Sequence, residues 1–136
     1  MKRTGVCSVG FLGVMFLTVL FAVSCANYGK EKTFNGTQVF YTSNVTESDA
    51  DKLGKYLVDF GFADGESKTV QLNKTGSVYE FRMVVKKGTE QDQEYRDLGK
   101  LIAAEISEYC FNGARVETHF CDDKLKTLIV LPMATY

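Results

Sequence analysis

Residues 38–61, QVFYTSNVTESDADKLGKYLVDFG, change their period part-way along and so decide the fold class. Val39 and Tyr41 alternate with Gln38, Phe40 and Thr42, the two-residue period of a strand with one buried face. Thr46-Glu47-Ser48-Asp49 then reads as a capping box, in which a hydroxyl and a carboxylate each accept from the other residue's backbone N–H. Ala50, Leu53, Leu57 and Phe60 recur at helical spacing, and Gly61 stands where a left-handed C-terminal cap falls. The stretch predicts a strand that runs into an amphipathic helix.

Downstream the alternation returns. Residues 67–72 and 78–85 read as strands across the turn Asn73-Lys74-Thr75-Gly76-Ser77. Tyr79, Phe81, Met83 and Val85 fall on one face of the second strand, and Val78, Glu80, Arg82 and Val84 on the other. Tyr95, Leu98, Leu101, Ile102 and Ile106 predict a second helix from about Asp92 to Tyr109. Residues 115–121 and 125–131 form another hairpin across Asp122-Asp123-Lys124. The order β-αββ-αββ looks like helix plus hairpin used twice. Its simplest packing is an α+β two-layer sandwich, with an antiparallel sheet of about five strands and both helices on one face. Residues 37–136 are expected to form this single domain.

Upstream lie Lys2 and Arg3, an apolar run from Val9 to Val23, and then Ser24, Cys25 and Ala26. This is the layout of a secretory signal over residues 1–24. The run is shorter than the roughly 20 residues that span a hydrocarbon core, so cleavage is expected rather than a spanning anchor. Ala22-Val23-Ser24 before Cys25 resembles the lipobox of bacterial lipoproteins. That resemblance implies an acylated Cys25 at the mature N-terminus, holding the protein to a membrane of the bacterial envelope. Ser24-Cys25-Ala26 also fits a small-x-small site cut after Ala26, which would release a soluble secreted or periplasmic protein. Residues 25–36, CANYGKEKTFNG, lack a period and read as a polar tether. With Cys7 in the signal and Cys25 lipidated, Cys110 and Cys121 remain as a pair in an oxidising compartment. A disulfide between them is expected, worth roughly 2 to 3 kcal/mol for its short loop.

Of 16 Lys and Arg, Lys2 and Arg3 leave with the signal, so 14 remain against 17 Asp and Glu. That balance, with no basic stripe, excludes a nucleic-acid surface. The sheet face without helices carries Phe40, Glu80, Arg82, Arg115, Glu117 and His119 as a candidate binding face, with Leu128 and Val130 as further apolar anchors. The same charges also serve as cross-strand pairs on a solvated face. An envelope protein or a glycan is the expected partner, although the absence of Trp weakens a sugar platform. His119 is the only histidine. Cys121, two residues on, would share its face at roughly 7 Å, a plausible thiol and imidazole pair. Cys110, His119, Cys121 and Asp122 are zinc-compatible types without paired C-x-x-C spacing. An exported thiol with a partner is oxidised, so the expectation is a non-enzymatic module with no metal and no cofactor. N-x-T sequons at Asn35, Asn44 and Asn73 would suit glycosylation in a eukaryotic secreted chain.

The stretches VFYTSNVTESDADKLGKYLVDFGF, TVQLNKTGSVYEFRMVVKKG and CDDKLKTLIVL resemble a domain of uncharacterised bacterial envelope or secreted proteins, a likeness that covers nearly the whole mature chain and implies no activity. A looser likeness is to the sporulation-related repeat of bacterial envelope proteins, in which a strand, a DADKLGKYLVDFGF-like helix and a YEFRMVV-like hairpin also follow one another. That likeness implies binding to peptidoglycan glycan.

Overall fold

The computed structural model describes residues 27–135. The signal segment and Cys25 lie outside these residues. Eight main elements follow in order: β1 (Lys30–Phe34), β2 (Thr37–Tyr41), α1 (Glu47–Phe60), β3 (Lys68–Thr75), β4 (Val78–Val84), α2 (Gln93–Cys110), β5 (Val116–Cys121) and β6 (Thr127–Pro132). A short 3-10 turn, Thr89–Gln91, leads into α2. The α+β class holds, and both helices pack on one face of a single sheet. No helix among the described residues is long and apolar enough to cross a membrane.

The entry to α1 follows the local chemistry. Thr46 Oγ1 accepts from the Asp49 N–H at 3.0 Å, Asp49 Oδ2 accepts from the Thr46 N–H at 3.3 Å, and Gly61 closes the helix at φ 92°. Between the layers, Leu53 and Leu57 of α1 and Ile106 of α2 meet Val39, Val70, Leu72, Phe81 and Val116 of the sheet, all at 1 % exposure or less. Burial of this set is the main stabilising term.

The sheet differs from the expectation in two ways. It has six strands, ordered β1-β2-β3-β4-β5-β6, and it is mixed: β2 and β3 are parallel, as are β4 and β5. In each case a helix runs back along the sheet between the two strands, so the chain re-enters in its first direction. The additional strand, β1, lies inside the stretch expected to be a tether. Asn35 and Gly36, at φ 44° and 89°, turn it into β2 as a tight hairpin. Its helix-side residues are held by charge and by one ring. Lys32 Nζ lies 2.9 Å from Glu47 Oε2 and 2.6 Å from Asp51 Oδ1, and the Phe34 ring covers Gly54 of α1.

Both crossovers advance across the sheet in the same sense but along opposite strand directions, because β3 and β4 are antiparallel. With both helices on one face they have opposite hands, so one is left-handed, the rare hand for this connection. The two helix-plus-hairpin units are therefore not copies of one fold, and the apparent duplication is one of element order only.

The second helix is rotated from its expected face. Gly99, Ile102, Ala103, Ile106, Ser107 and Cys110 are buried, whereas Tyr95, Leu98 and Leu101 are exposed. Gly99 and Ser107 mark the packed side. Thr118 Oγ1 donates to the Gly99 carbonyl at 2.7 Å, and Ser107 Oγ donates to the Ala114 carbonyl at 2.6 Å.

The expected disulfide is absent. Cys110 and Cys121 are free and buried. Thr118 and Phe120 lie against Gly99, eleven residues before Cys110. At 1.5 Å per residue, that places the end of β5 roughly 16 Å along the helix from Cys110. A disulfide needs Cα atoms within about 7 Å.

Candidate functional site

Alternation puts one residue from every strand in a row across the helix-free face: Glu31, Phe40, Gln71, Arg82, His119 and Val130. The adjacent row places Asn73, Glu80 and Glu117 side by side. Four of the six expected binding-face residues, Glu80, Arg82, Glu117 and His119, are thus brought together on the neighbouring parallel strands β4 and β5. Arg115 precedes β5 and is exposed, outside this group. The Phe40 and Tyr28 rings meet edge to face with centroids 5.5 Å apart, so the segment ahead of β1 folds onto the same face.

Arg82 is the hub. Its Nη1 donates to His119 Nδ1 at 3.1 Å and lies 3.6 Å from Glu80 Oε1, while its Nη2 donates to the Leu125 carbonyl at 2.7 Å. Its side chain is only 16 % exposed, and its Nε is buried without a partner. Glu80 accepts from Asn73 Nδ2 at 3.1 Å and from Thr75 Oγ1 at 2.9 Å. Burial pushes the Glu80 carboxyl up, but these hydrogen bonds and the nearby guanidinium outweigh it, so the group ionises below the usual carboxylate range.

The hydrogen bonds also fix the His119 tautomer. Arg82 can only donate, so Nδ1 carries a lone pair, and Thr127 Oγ1 lies 3.1 Å from the same atom. The ring proton is on Nε2, which points to Glu117 Oε1 at 3.3 Å. Side-chain atoms of Glu80, Glu117 and His119 lie within 4.8 Å of one another, a spacing that could gather around a cation. His119 could ligate through Nε2 only by moving its proton to Nδ1, against the Arg82 guanidinium. The set therefore fits a metal poorly. Nitrogen-detected NMR should show the Nε2–H form of His119, and millimolar zinc should leave its ring signals in place. Line shifts at Nε2 on adding zinc would restore the metal reading.

The thiols give no nucleophile next to this ring. Cys110 Sγ points at the Lys52 carbonyl and Cys121 Sγ at the His119 carbonyl, each at 3.6 Å. Burial pushes the Cys110 thiol up to about 11 and raises Cys121 as well. Neither thiol should react with a disulfide reagent at neutral pH in the folded protein, and both should react once urea unfolds it. A fast native reaction at one site would overturn that assignment.

Three parts of the network were not visible as candidates in the sequence. Thr127 carries no motif, and Asn73, expected in the turn as a sequon, belongs instead to β3, which runs on to Thr75. The Leu125 carbonyl reaches Arg82 because Leu125 adopts φ 60°, a left-handed conformation costly for a bulky residue. Asp122 Oδ1 holds that loop by accepting from the Lys124 and Lys126 N–H groups, both at 2.9 Å. At the far end of β5, Cys121 pairs with Thr127 and Phe120 with Ile129, so Leu128 is the extra residue of a bulge. Val130 stands opposite His119 and is 42 % exposed. Of the sequons, the Asn35 and Asn73 amides are hydrogen-bonded to Ala63 and Glu80, and the Asn44 amide, exposed in the loop before α1, donates to Asn73 Oδ1 at 3.2 Å.

Neither a curated protein nor a solved structure matches the chain. The likeness to the sporulation-related repeat finds no support. One family, described as the AF_1994_N family N-terminal domain, matches residues 32–132, from β1 to the last residue of β6. That match covers most of the sequence and all but the first strand residues of the sheet, so the chain belongs to this uncharacterised family.

Proposed function

We propose that this chain is an exported, non-enzymatic binding module, held to an envelope membrane by a lipid on Cys25, whose helix-free sheet face meets a partner. The observation that carries the reading is the juxtaposition across β4, β5 and β6. Glu117, the Arg82 and His119 pair and the exposed Val130 share one face that no helix among the described residues covers. A satisfied polar cluster beside an exposed apolar residue has the make-up of an interface centre and its polar rim. The basic start, apolar run and Cys25 supply the export half of the reading. The family's description as an N-terminal domain suits a module.

A protein partner is favoured over a glycan. Stacking on sugar rings needs a free aromatic face, and on this side of the sheet Phe40 is already in contact with Tyr28.

A photo-crosslinking residue placed at Val130 tests the face in the native host, with the same residue at Lys55 on the exposed side of α1 as control. A discrete adduct from Val130 and none from Lys55 is expected, in a membrane fraction whose intact mass begins at an acylated Cys25. Equal labelling at both positions, or none at either, would remove the sheet-face reading. A soluble species beginning at Asn27 would remove the anchor and leave the face to be judged separately.

A further inference from the structure

The solvent side of α2 carries a second surface, independent of the sheet face. Leu98 and Leu101 are 42 % and 37 % exposed, although a helix of this fold could place polar residues there without loss. Leu101 is the apolar middle of a stripe that runs along the helix at heptad spacing through Glu94, Asp97, Leu101, Ala104 and Glu108, and Leu98 flanks it one turn earlier. Acids stand at both ends of the stripe: Glu94 and Asp97 before the leucines, Glu105 and Glu108 after them. Among the described residues no ion pair reaches any of these four carboxylates. At the C-terminal end, Tyr56 stacks between Phe60 and Tyr109, at 5.4 and 6.1 Å, and donates to Glu105 at 2.5 Å. Tyr109 is 69 % exposed, so the stack continues the apolar surface outward.

We infer that this face docks a basic amphipathic helix. The charge pattern selects that occupant. A second copy of the chain would bring acid against acid, whichever way the helices run, because both ends of the stripe are negative. A helix with leucine-type residues on one side and Lys or Arg flanking them would cover Leu98 and Leu101 and neutralise both ends. From Glu94 to Glu108 the stripe spans about 21 Å, which fixes the partner segment at roughly four turns. Recognition of an amphipathic helix reads anchors at i, i+3 and i+4 positions, and Leu98 and Leu101, three residues apart, with the Tyr109 ring beyond them, offer such anchors.

The test uses the whole protein and a 15-residue helical peptide with leucines at heptad positions and lysines elsewhere. A control peptide carries glutamates in place of the lysines. Calorimetry should give binding of the basic peptide only, weakening at least about tenfold in the Leu98→Ser/Leu101→Ser double variant, equivalent to about 1.4 kcal/mol. Val58→Ser, at an exposed apolar position on the other flank of α1, should leave binding unchanged. Glu94→Gln/Asp97→Gln should weaken binding and flatten its salt dependence. Equal affinity in the double leucine variant would overturn the proposal and reduce the effect to unspecific charge attraction, as would peptide-induced NMR shifts on β5 and β6 instead of α2. Self-association that Leu101→Ser abolishes would assign the face to a second copy and overturn it as well.

Discussion

Replacing Arg82 by Met should cost about 3 kcal/mol, the range seen when one partner of a buried ion pair is removed. Met keeps most of the apolar stem, so the loss reports the guanidinium. Without it, the Leu125 carbonyl and His119 Nδ1 lose a donor, and Glu80, directly opposite Glu117 across β4 and β5, loses the cation beside it. Like charges in that register repel. Adding Glu80→Gln to the Arg82→Met protein should therefore recover about 1 kcal/mol, whereas Glu80→Gln alone should destabilise. Urea titrations with an unchanged slope would measure both. The pH dependence has a definite sign. The folded Glu80 carboxyl ionises below its ordinary range, so its contribution is present above the unfolded-state pKa and lost as pH falls through the lowered one. The cost of Arg82→Met should shrink accordingly in acid. A loss below about 0.5 kcal/mol at neutral pH would mean that the buried guanidinium has no part in stability. Arg82 would then belong to the partner contact, and the crosslinking pattern on β6 should change in the variant.

The helix-free face was legible because alternation is strict: once Val39 and Phe81 were assigned inward, Phe40, Glu80 and Arg82 had to point outward. What alternation cannot encode is strand direction. Period two is the same forwards and backwards, so the mixed sheet follows only from the two helices that return the chain between β2 and β3 and between β4 and β5. The rotation of α2 escaped for a related reason. Tyr95, Leu98 and Leu101 fit a helical period as well as Ile102 and Ile106 do, and the small residues Gly99 and Ser107, not the large ones, identify the packed side. The Arg82 and Leu125 contact depends on a backbone conformation that leucine rarely takes, which no local pattern announces. Counting cysteines paired Cys110 with Cys121, but a count carries no distance, and the length of α2 holds them apart.

The first strand gives the sharpest contrast, because its signals were present and outweighed by composition. Phe34-Asn35-Gly36-Thr37 contains the Asn-Gly pair that favours a two-residue hairpin, yet Lys30, Glu31 and Lys32 made the segment look like a tether. A second trace lies in α1. Gly54 sits inside a helix, where glycine costs about 1 kcal/mol relative to alanine. It is buried, and a methyl group there would overlap the Phe34 ring. Gly54→Ala is therefore expected to destabilise by about 2 kcal/mol despite its better helix propensity, since overpacking displaces Phe34 and loosens β1. In a Phe34→Ala background the space is free, and the same substitution should stabilise by about 1 kcal/mol. That reversal of sign is a double-mutant cycle that only direct contact produces. Stabilisation by Gly54→Ala in the otherwise natural chain would mean that the ring does not rest on α1 and that residues 30–34 behave as a tether. With the reversal, β1 is the edge that closes the domain, and its Lys32 pairs with Glu47 and Asp51 fasten it to the helix that the capping box starts.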